Sequence, residues 1–142
     1  MASHRKLLLA STAAACLFTT FQATARQIKS IKILEYGINA NPEIKELNKE
    51  CLLFKPSIKQ VKNYLLKAYS APRRLSHERW SSCYTSGTAE FEDFGKINWT
   101  IGSGGTGAIE WSEDEYVYIF YKYNRWLDPT ACTYGLGDKG EC

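Results

Sequence analysis

The sequence predicts a small α+β domain in which an antiparallel sheet packs against one main amphipathic helix and is stabilised by disulfides. Three observations lead to this fold class. Short alternating runs separated by turn residues fill positions 86–123, a capped amphipathic pattern begins at Ile58, and an even number of cysteines follows an N-terminal leader.

The sheet is predicted from four runs joined by three short polar or glycine-rich connections. In the second run Ile97, Trp99 and Ile101 alternate with polar residues, a pattern typical of a half-buried strand. Because parallel neighbours need long crossovers, the short connections favour an antiparallel meander. The four runs are residues 86–91, 96–101, 106–111 and 115–123, and residues 31–37 offer a further, N-terminal edge strand. The last run is apolar on both sides, so we expect both of its faces to be at least partly covered.

The main helix is predicted to begin at Ile58. Ser57 and Gln60 have the spacing of a capping box, in which each side chain bonds the other residue's backbone N–H. Its apolar stripe, expected to cover one face of the sheet, is formed by Ile58, Val61, Leu65 and Ala68. An earlier helix start at Asn41, with an ordered loop as the alternative, is indicated by the residues Asn-Pro-Glu.

Residues 1–25 have the pattern of an export signal. A basic start at Arg5 and Lys6 precedes an apolar run, and residues 23–25 read Ala-Thr-Ala, a signal-peptidase site. The apolar run is shorter than the ~20 residues of a membrane span. We therefore expect cleavage after Ala25, a single domain over residues 26–142, and a periplasmic or secreted location. A lipid anchor at Cys16, which follows three alanines, is the alternative.

The charge of the mature chain excludes one class of partner. Removal of Arg5 and Lys6 lowers the formal net charge from +3 to +1, because residues 1–25 contain no acids. A charge so close to zero lacks the strong positive field of nucleic-acid-binding proteins.

Four of the five cysteines lie in the mature chain, at Cys51, Cys83, Cys132 and Cys142. An even set in a small exported domain indicates two disulfides, for which three pairings exist. We favour Cys51–Cys83 with Cys132–Cys142, since the second bridge would close a glycine-rich loop. The cysteine spacing does not match a zinc site.

No motif predicts catalysis, a bound metal or a cofactor. His77, the only histidine of the mature chain, has Glu78 and Cys83 nearby in sequence, but neither pair has the signature of a known catalytic arrangement. The acidic groups near 90–93 and 113–115 fall beside predicted turns. The glycine-rich stretch 102–107 lacks the lysine and the following helix of a phosphate-binding loop, so it is interpreted as a hairpin.

Two surfaces are candidates for binding a partner. Arg125, Trp126 and Asp128 lie in a predicted loop, and Trp and Arg are frequent anchors of protein interfaces. A second, basic set comprises Arg73, Arg74, His77 and Arg79. An alternative site for glycans is the aromatic stripe of Tyr116, Tyr118 and Phe120, for which core packing is the competing interpretation.

Residues 54–64 and 126–137, together with the hairpins of 88–111, resemble small exported proteins of Gram-negative bacteria that carry no assigned activity. The layout is similar to that of periplasmic inhibitor and immunity proteins. This resemblance implies a non-catalytic protein that neutralises a toxin or a cell-wall hydrolase. A glycan- or envelope-binding module is the alternative, followed by an unrecognised hydrolase.

Overall fold

The structure, a computed structural model, describes residues 26–112, 115–131 and 133. Its strands are β1 (Ile28–Asn39), β2 (Tyr69–Ser70), β3 (Cys83–Phe91), β4 (Gly95–Gly102), β5 (Thr106–Ser112) and β6 (Glu115–Phe120). Its helices are α1 (Lys45–Cys51), α2 (Ile58–Lys67) and α3 (Arg73–Glu78). Within the described residues no helix is long and apolar enough to cross a lipid bilayer.

The strands form one antiparallel sheet in the order β1-β3-β4-β5-β6-β2, which confirms the α+β class. The predicted count of four strands, or five with the N-terminal one, is wrong, because the sheet has six. β1 lies at one edge, as expected for an added strand. At the other edge lies β2, whose two residues are too few to show any alternation in the sequence.

Two strand boundaries differ from the predicted runs. β3 begins at Cys83 rather than at residue 86, and pairs with β4 along its whole length. β6 ends at Phe120 rather than at residue 123, and one further bond joins the next residue to the β4–β5 turn: the N–H of Tyr121 donates to the carbonyl of Gly105 at 3.0 Å. Gly105 ends the glycine-rich turn between β4 and β5 with φ of +89°, which confirms the hairpin interpretation of that stretch.

Helix α2 begins at Ile58 with the predicted capping box. The Gln60 N–H donates to Ser57 Oγ at 3.3 Å, and the Ser57 N–H donates to Gln60 Oε1 at 2.8 Å. Its buried residues are Val61, Tyr64 and Leu65. Ile58, expected to be covered, is exposed in the first turn, and the central position belongs to Tyr64 instead.

Helix α1 begins at Lys45 rather than at Asn41. The residues before it form a turn held by Asn39, whose Oδ1 accepts from the Asn41 N–H at 2.9 Å and whose Nδ2 donates to the Asn41 carbonyl at 2.8 Å. Asparagine side chains often compete with helix formation in this way.

The core lies on the face of the sheet that α2 covers, which we call the first face. Trp99 is its largest fully buried residue, with 1% of its surface exposed. Gly87 lies opposite Trp99 in the β3–β4 register, and a Cβ at Gly87 would stand 2.4 Å from the indole ring. Only glycine therefore lets this indole lie across β3. The core around it includes Phe91, Ile97, Ile101, Ile109, Ile119, Val61, Tyr64 and Leu65.

A disulfide joins Cys51 to Cys83 and so connects the end of α1 to the start of β3. This confirms the first of the two favoured pairings. A bridge of this kind stabilises a small domain by roughly 2–4 kcal/mol. Cys132 and Cys142 of the second favoured pairing, the predicted export signal of residues 1–25 and Cys16 all lie outside the described residues.

Candidate binding site on the second face of the sheet

The face opposite the core, the second face, carries a row of small residues across three strands. Ser86 pairs with Thr100, Thr100 with Ala108, and Ala108 with Tyr118, so these four side chains share one face. Two strand spacings of ~4.8 Å separate β3 from β5, so the three small residues span roughly 10 Å, and Tyr118 stands on the next strand. A floor of small side chains between larger ones leaves a depression in the sheet.

That depression is a cleft of about 210 Å3 walled by aromatic residues. Its walls are Trp80, from the loop between α3 and β3, Tyr84 of β3 and Tyr118 of β6. Its floor is formed by Thr100, Gly102, Thr106, Gly107 and Ala108. Trp80 is 44% exposed, although it is among the largest side chains of the protein. We call this feature the aromatic cleft.

Tyr116 extends the wall that Tyr118 provides. The two rings meet edge to face at 5.3 Å, and Tyr116 is 54% exposed. The hydrogen bond that the Tyr118 hydroxyl donates to Tyr116 raises the pKa of Tyr118 above its ordinary value, while the positive charge of Arg73 acts in the opposite direction. Burial raises the pKa of Tyr84 as well. Both cleft tyrosines therefore keep their protons at neutral pH and offer hydroxyl groups to a ligand.

The predicted basic set lies on and just after α3, which contacts β5 and β6. Arg73, Arg74 and His77 are exposed, and Arg74 pairs with Glu78 across one helical turn at 2.6 Å. Arg79 differs from them: it is buried, with its guanidinium 5.4 Å from the centre of the Phe120 ring. Arg79 therefore packs against the domain, whereas the other three residues extend from it.

The predicted aromatic stripe is divided by the structure. Tyr116 and Tyr118 are accessible beside the aromatic cleft, whereas Phe120 is buried beneath Arg79 and against the ring of Tyr69, 5.9 Å away. Core packing, the competing interpretation of this stripe, therefore applies to Phe120 and not to Tyr116 or Tyr118.

The loop residues Arg125, Trp126 and Asp128 lie beyond β6. Trp126 is half-buried, packs 5.6 Å from both Phe54 and Tyr64, and donates from Nε1 to the Ser103 carbonyl at 2.8 Å. These contacts place Trp126 against the first-face core.

Asp128 fixes the same loop by accepting from the Ser103 hydroxyl at 2.6 Å and from the Thr130 N–H at 3.0 Å. Arg125 is the exposed member of the set. Trp126 and Asp128 thus hold the loop in place, and Arg125 extends from it.

Sequence reasoning missed Trp80 and Tyr84 as site residues. The signal was present, since Tyr84 continues the polar alternation of Ser86 and Thr88 toward the chain start. The predicted strand starts only at residue 86, however, and therefore leaves Tyr84 on neither face. Trp80 lies in a loop, where no periodicity shows which way a side chain points.

The described residues contain no group of three or more His, Cys, Asp or Glu residues placed to hold a metal ion. Cys83 is in a disulfide, so it provides no thiol for His77 to activate. What the second face offers is aromatic rings, hydroxyls and exposed basic groups.

Comparison with known proteins places the chain in no family. No protein-family model matches it, and neither the curated proteins nor the solved structures contain a significant match.

Proposed function

We propose that this chain is an exported, non-catalytic protein that binds and neutralises a protein partner in the cell envelope, in the manner of a toxin immunity protein or a cell-wall hydrolase inhibitor. The signal-like segment 1–25 and the layout shared with periplasmic inhibitors support this proposal. The observation that carries it is the aromatic cleft, an accessible depression walled by Trp80, Tyr84 and Tyr118.

The composition of the cleft suits a protein partner. Trp and Tyr bury large areas with little loss of side-chain freedom, and they retain polar groups that specify orientation. The small floor residues allow an inserted partner side chain to reach the sheet. Arg73, Arg74 and His77 stand exposed on α3, a helix that contacts β5 and β6, and the charge of Arg73 acts on Tyr118 of the cleft. Positive groups beside an aromatic pocket favour a partner with an acidic rim.

A glycan is the second candidate ligand, because a sugar ring packs well on Trp80 or Tyr118. Its site differs from the predicted stripe, since Phe120 is buried and Trp80 and Tyr84 take its place. Retention of the protein on purified peptidoglycan, with loss of retention in Tyr118→Ala, would favour this function over protein binding.

The experiment for the main proposal is site-specific photo-crosslinking in intact periplasm. A photo-reactive residue at position 116, beside the cleft, should give a discrete covalent product with one envelope protein. The same residue at Glu46, exposed on α1, is the matched control and should give none. Purified protein should then inhibit that partner, and Trp80→Ala should weaken the inhibition.

Two results would overturn the proposal. One is equal crosslinking from positions 116 and 46, which would indicate nonspecific contact. The other is turnover of an envelope substrate by the protein itself that disappears in His77→Ala, which would establish the hydrolase alternative.

A further inference from the structure

A second cleft, of about 480 Å3, lies between α2 and the segment that follows β6. One wall is the ridge of Lys59, Asn63 and Lys67 on α2, and the other includes Tyr123 and Arg125. Gln60 Nε2 donates to the Arg125 carbonyl at 2.8 Å, and Lys67 Nζ stands 5.7 Å from the centre of the Tyr121 ring. These contacts hold the two walls at a fixed distance. We call this feature the basic cleft.

The charge of the basic cleft has one sign. Lys59, Lys67 and Arg125 line it, and no described residue that lines it carries a carboxylate. None of the three is engaged by an acidic side chain among the described residues. The whole mature chain has a formal charge of only +1. Three cations gathered without a counter-charge therefore represent a local excess that an anionic ligand would neutralise.

The spacing of the cations indicates the size of the ligand. Lys59, Asn63 and Lys67 recur every four residues, so they lie along one side of α2. Eight residues of helix place Lys59 and Lys67 ~12 Å apart along the axis. An extended ligand with repeated negative groups matches this separation and can meet both lysines without drawing their side chains together.

The remaining wall residues favour a ligand built of polar rings. Tyr123 is 76% exposed and its ring lies 6.1 Å from that of Tyr121. Asn63 and Asn124 add amide donors and acceptors. Tyrosine rings beside amides and cations suit the faces, hydroxyls and acidic groups of charged sugars.

We propose that the basic cleft binds an acidic oligosaccharide, a chain of sugar rings bearing carboxylate or sulfate groups. This site is separate from the aromatic cleft and does not depend on the partner proposed there. The ligand is either a free oligosaccharide or a glycan attached to a larger surface, and the negative groups are the chemistry that both share.

The test is calorimetric titration of the full mature protein with tetragalacturonate and, in parallel, with the neutral chitotetraose. Tetragalacturonate should bind and chitotetraose should not, with affinity falling as salt rises. Lys59→Gln, Lys67→Gln and Arg125→Gln should each weaken binding roughly two- to five-fold, as expected for exposed charge pairs. Tyr123→Ala should also weaken it.

Two variants serve as matched controls. Lys62→Gln removes an equally exposed lysine of α2 that does not line the basic cleft, and it should leave binding unchanged. Tyr118→Ala alters only the aromatic cleft and should also leave binding of the sugar unchanged. The proposal for the basic cleft and the proposal for the aromatic cleft can therefore be refuted separately. Retention on immobilised polygalacturonate would distinguish surface-attached glycans from the free tetrasaccharide.

The proposal is overturned by any of three results. One is a loss of affinity in Lys62→Gln as large as that in Lys59→Gln, which would indicate general attraction to a basic helix. Another is binding of chitotetraose as tight as that of tetragalacturonate. The third is full competition with the sugar by vesicles of phosphatidylglycerol, which would assign the cations to a lipid surface.

Discussion

Large aromatic residues lie on or beside both faces of the sheet, but their exposed fractions differ. On the first face Trp99 is 1% exposed beneath α2, whereas Trp80 beside the second face is 44% exposed. On the second face Arg79 covers Phe120 at the end of β6, but Trp80, Tyr84 and Tyr118 still border an open cleft. The difference shows that burial in this domain depends on what covers a strand, and less on the strand's own composition.

The second face is also built for little burial. Ser86, Thr100 and Ala108 cross it in one row, and each offers a small apolar area. Since burial contributes about 25 cal/mol per Å2 of apolar surface, this row adds little to stability. The main cluster of buried apolar side chains therefore lies on the first face, whereas this row of the second face is open to contact with other molecules.

The largest expected effect tests the difference between the two tryptophans. Trp99→Ala should lower the free energy of unfolding by about 3–5 kcal/mol, because it leaves a cavity at the centre of the core. Trp80→Ala, the matched variant, should cost about 1 kcal/mol or less, because much of the ring already contacts water. Urea denaturation of both variants measures the two values. Similar losses of unfolding free energy in the two variants would mean that Trp80 contributes to stability as much as Trp99 does, and that the second face is not reserved for binding.

A smaller effect is expected at Tyr64, which joins the helix to the far end of the first face. Its hydroxyl lies 3.1 Å from the Gly105 carbonyl and 3.3 Å from the Ile119 carbonyl, and it can donate to either. Tyr64→Phe removes this hydrogen bond and leaves those carbonyls without it. We expect a loss of about 0.5–1.5 kcal/mol at neutral pH, measured by urea denaturation.

The same residue predicts a pH dependence. Burial raises the pKa of Tyr64 above its ordinary value of 10. Above pH 10 the unfolded chain releases this proton while the folded protein retains it, so the stability of the wild type should fall as pH rises. Tyr64→Phe should show a shallower decline over that range. If the free energy of unfolding fell with pH at the same rate in both proteins, the Tyr64 hydroxyl would have to be in contact with water.

The features that the sequence predicted well are those set by local rules. The capping box of Ser57 and Gln60 involves residues three apart, and the alternation around Trp99 spans a single strand. The aromatic cleft depends instead on residues brought together by pairing, such as Tyr84 on β3 and Tyr118 on β6, with Trp80 from a loop. No local pattern encodes that assembly.

The basic cleft also depends on residues that are distant in sequence and are brought together by the fold. In the sequence, the spacing of Lys59 and Lys67 indicates only the solvated side of α2. Arg125 was recognised as a candidate contact, but within a set whose other members, Trp126 and Asp128, hold the loop in place. Only the fold shows that Arg125 faces the two lysines across a cleft.

The smallest expected effect examines the wall of the aromatic cleft without disturbing the fold. Tyr116→Phe removes the hydrogen bond that raises the pKa of Tyr118, so that pKa should fall toward 10, while the free energy of unfolding changes by no more than about 0.5 kcal/mol. Tyrosinate absorbance during a pH titration follows the change, and Tyr118→Phe identifies which titration belongs to Tyr118. An unchanged pKa would show that the two hydroxyls do not meet in solution. The wall that Tyr116 and Tyr118 form would then lack a fixed shape. The second face would in that case be less ordered than the first as well as more exposed.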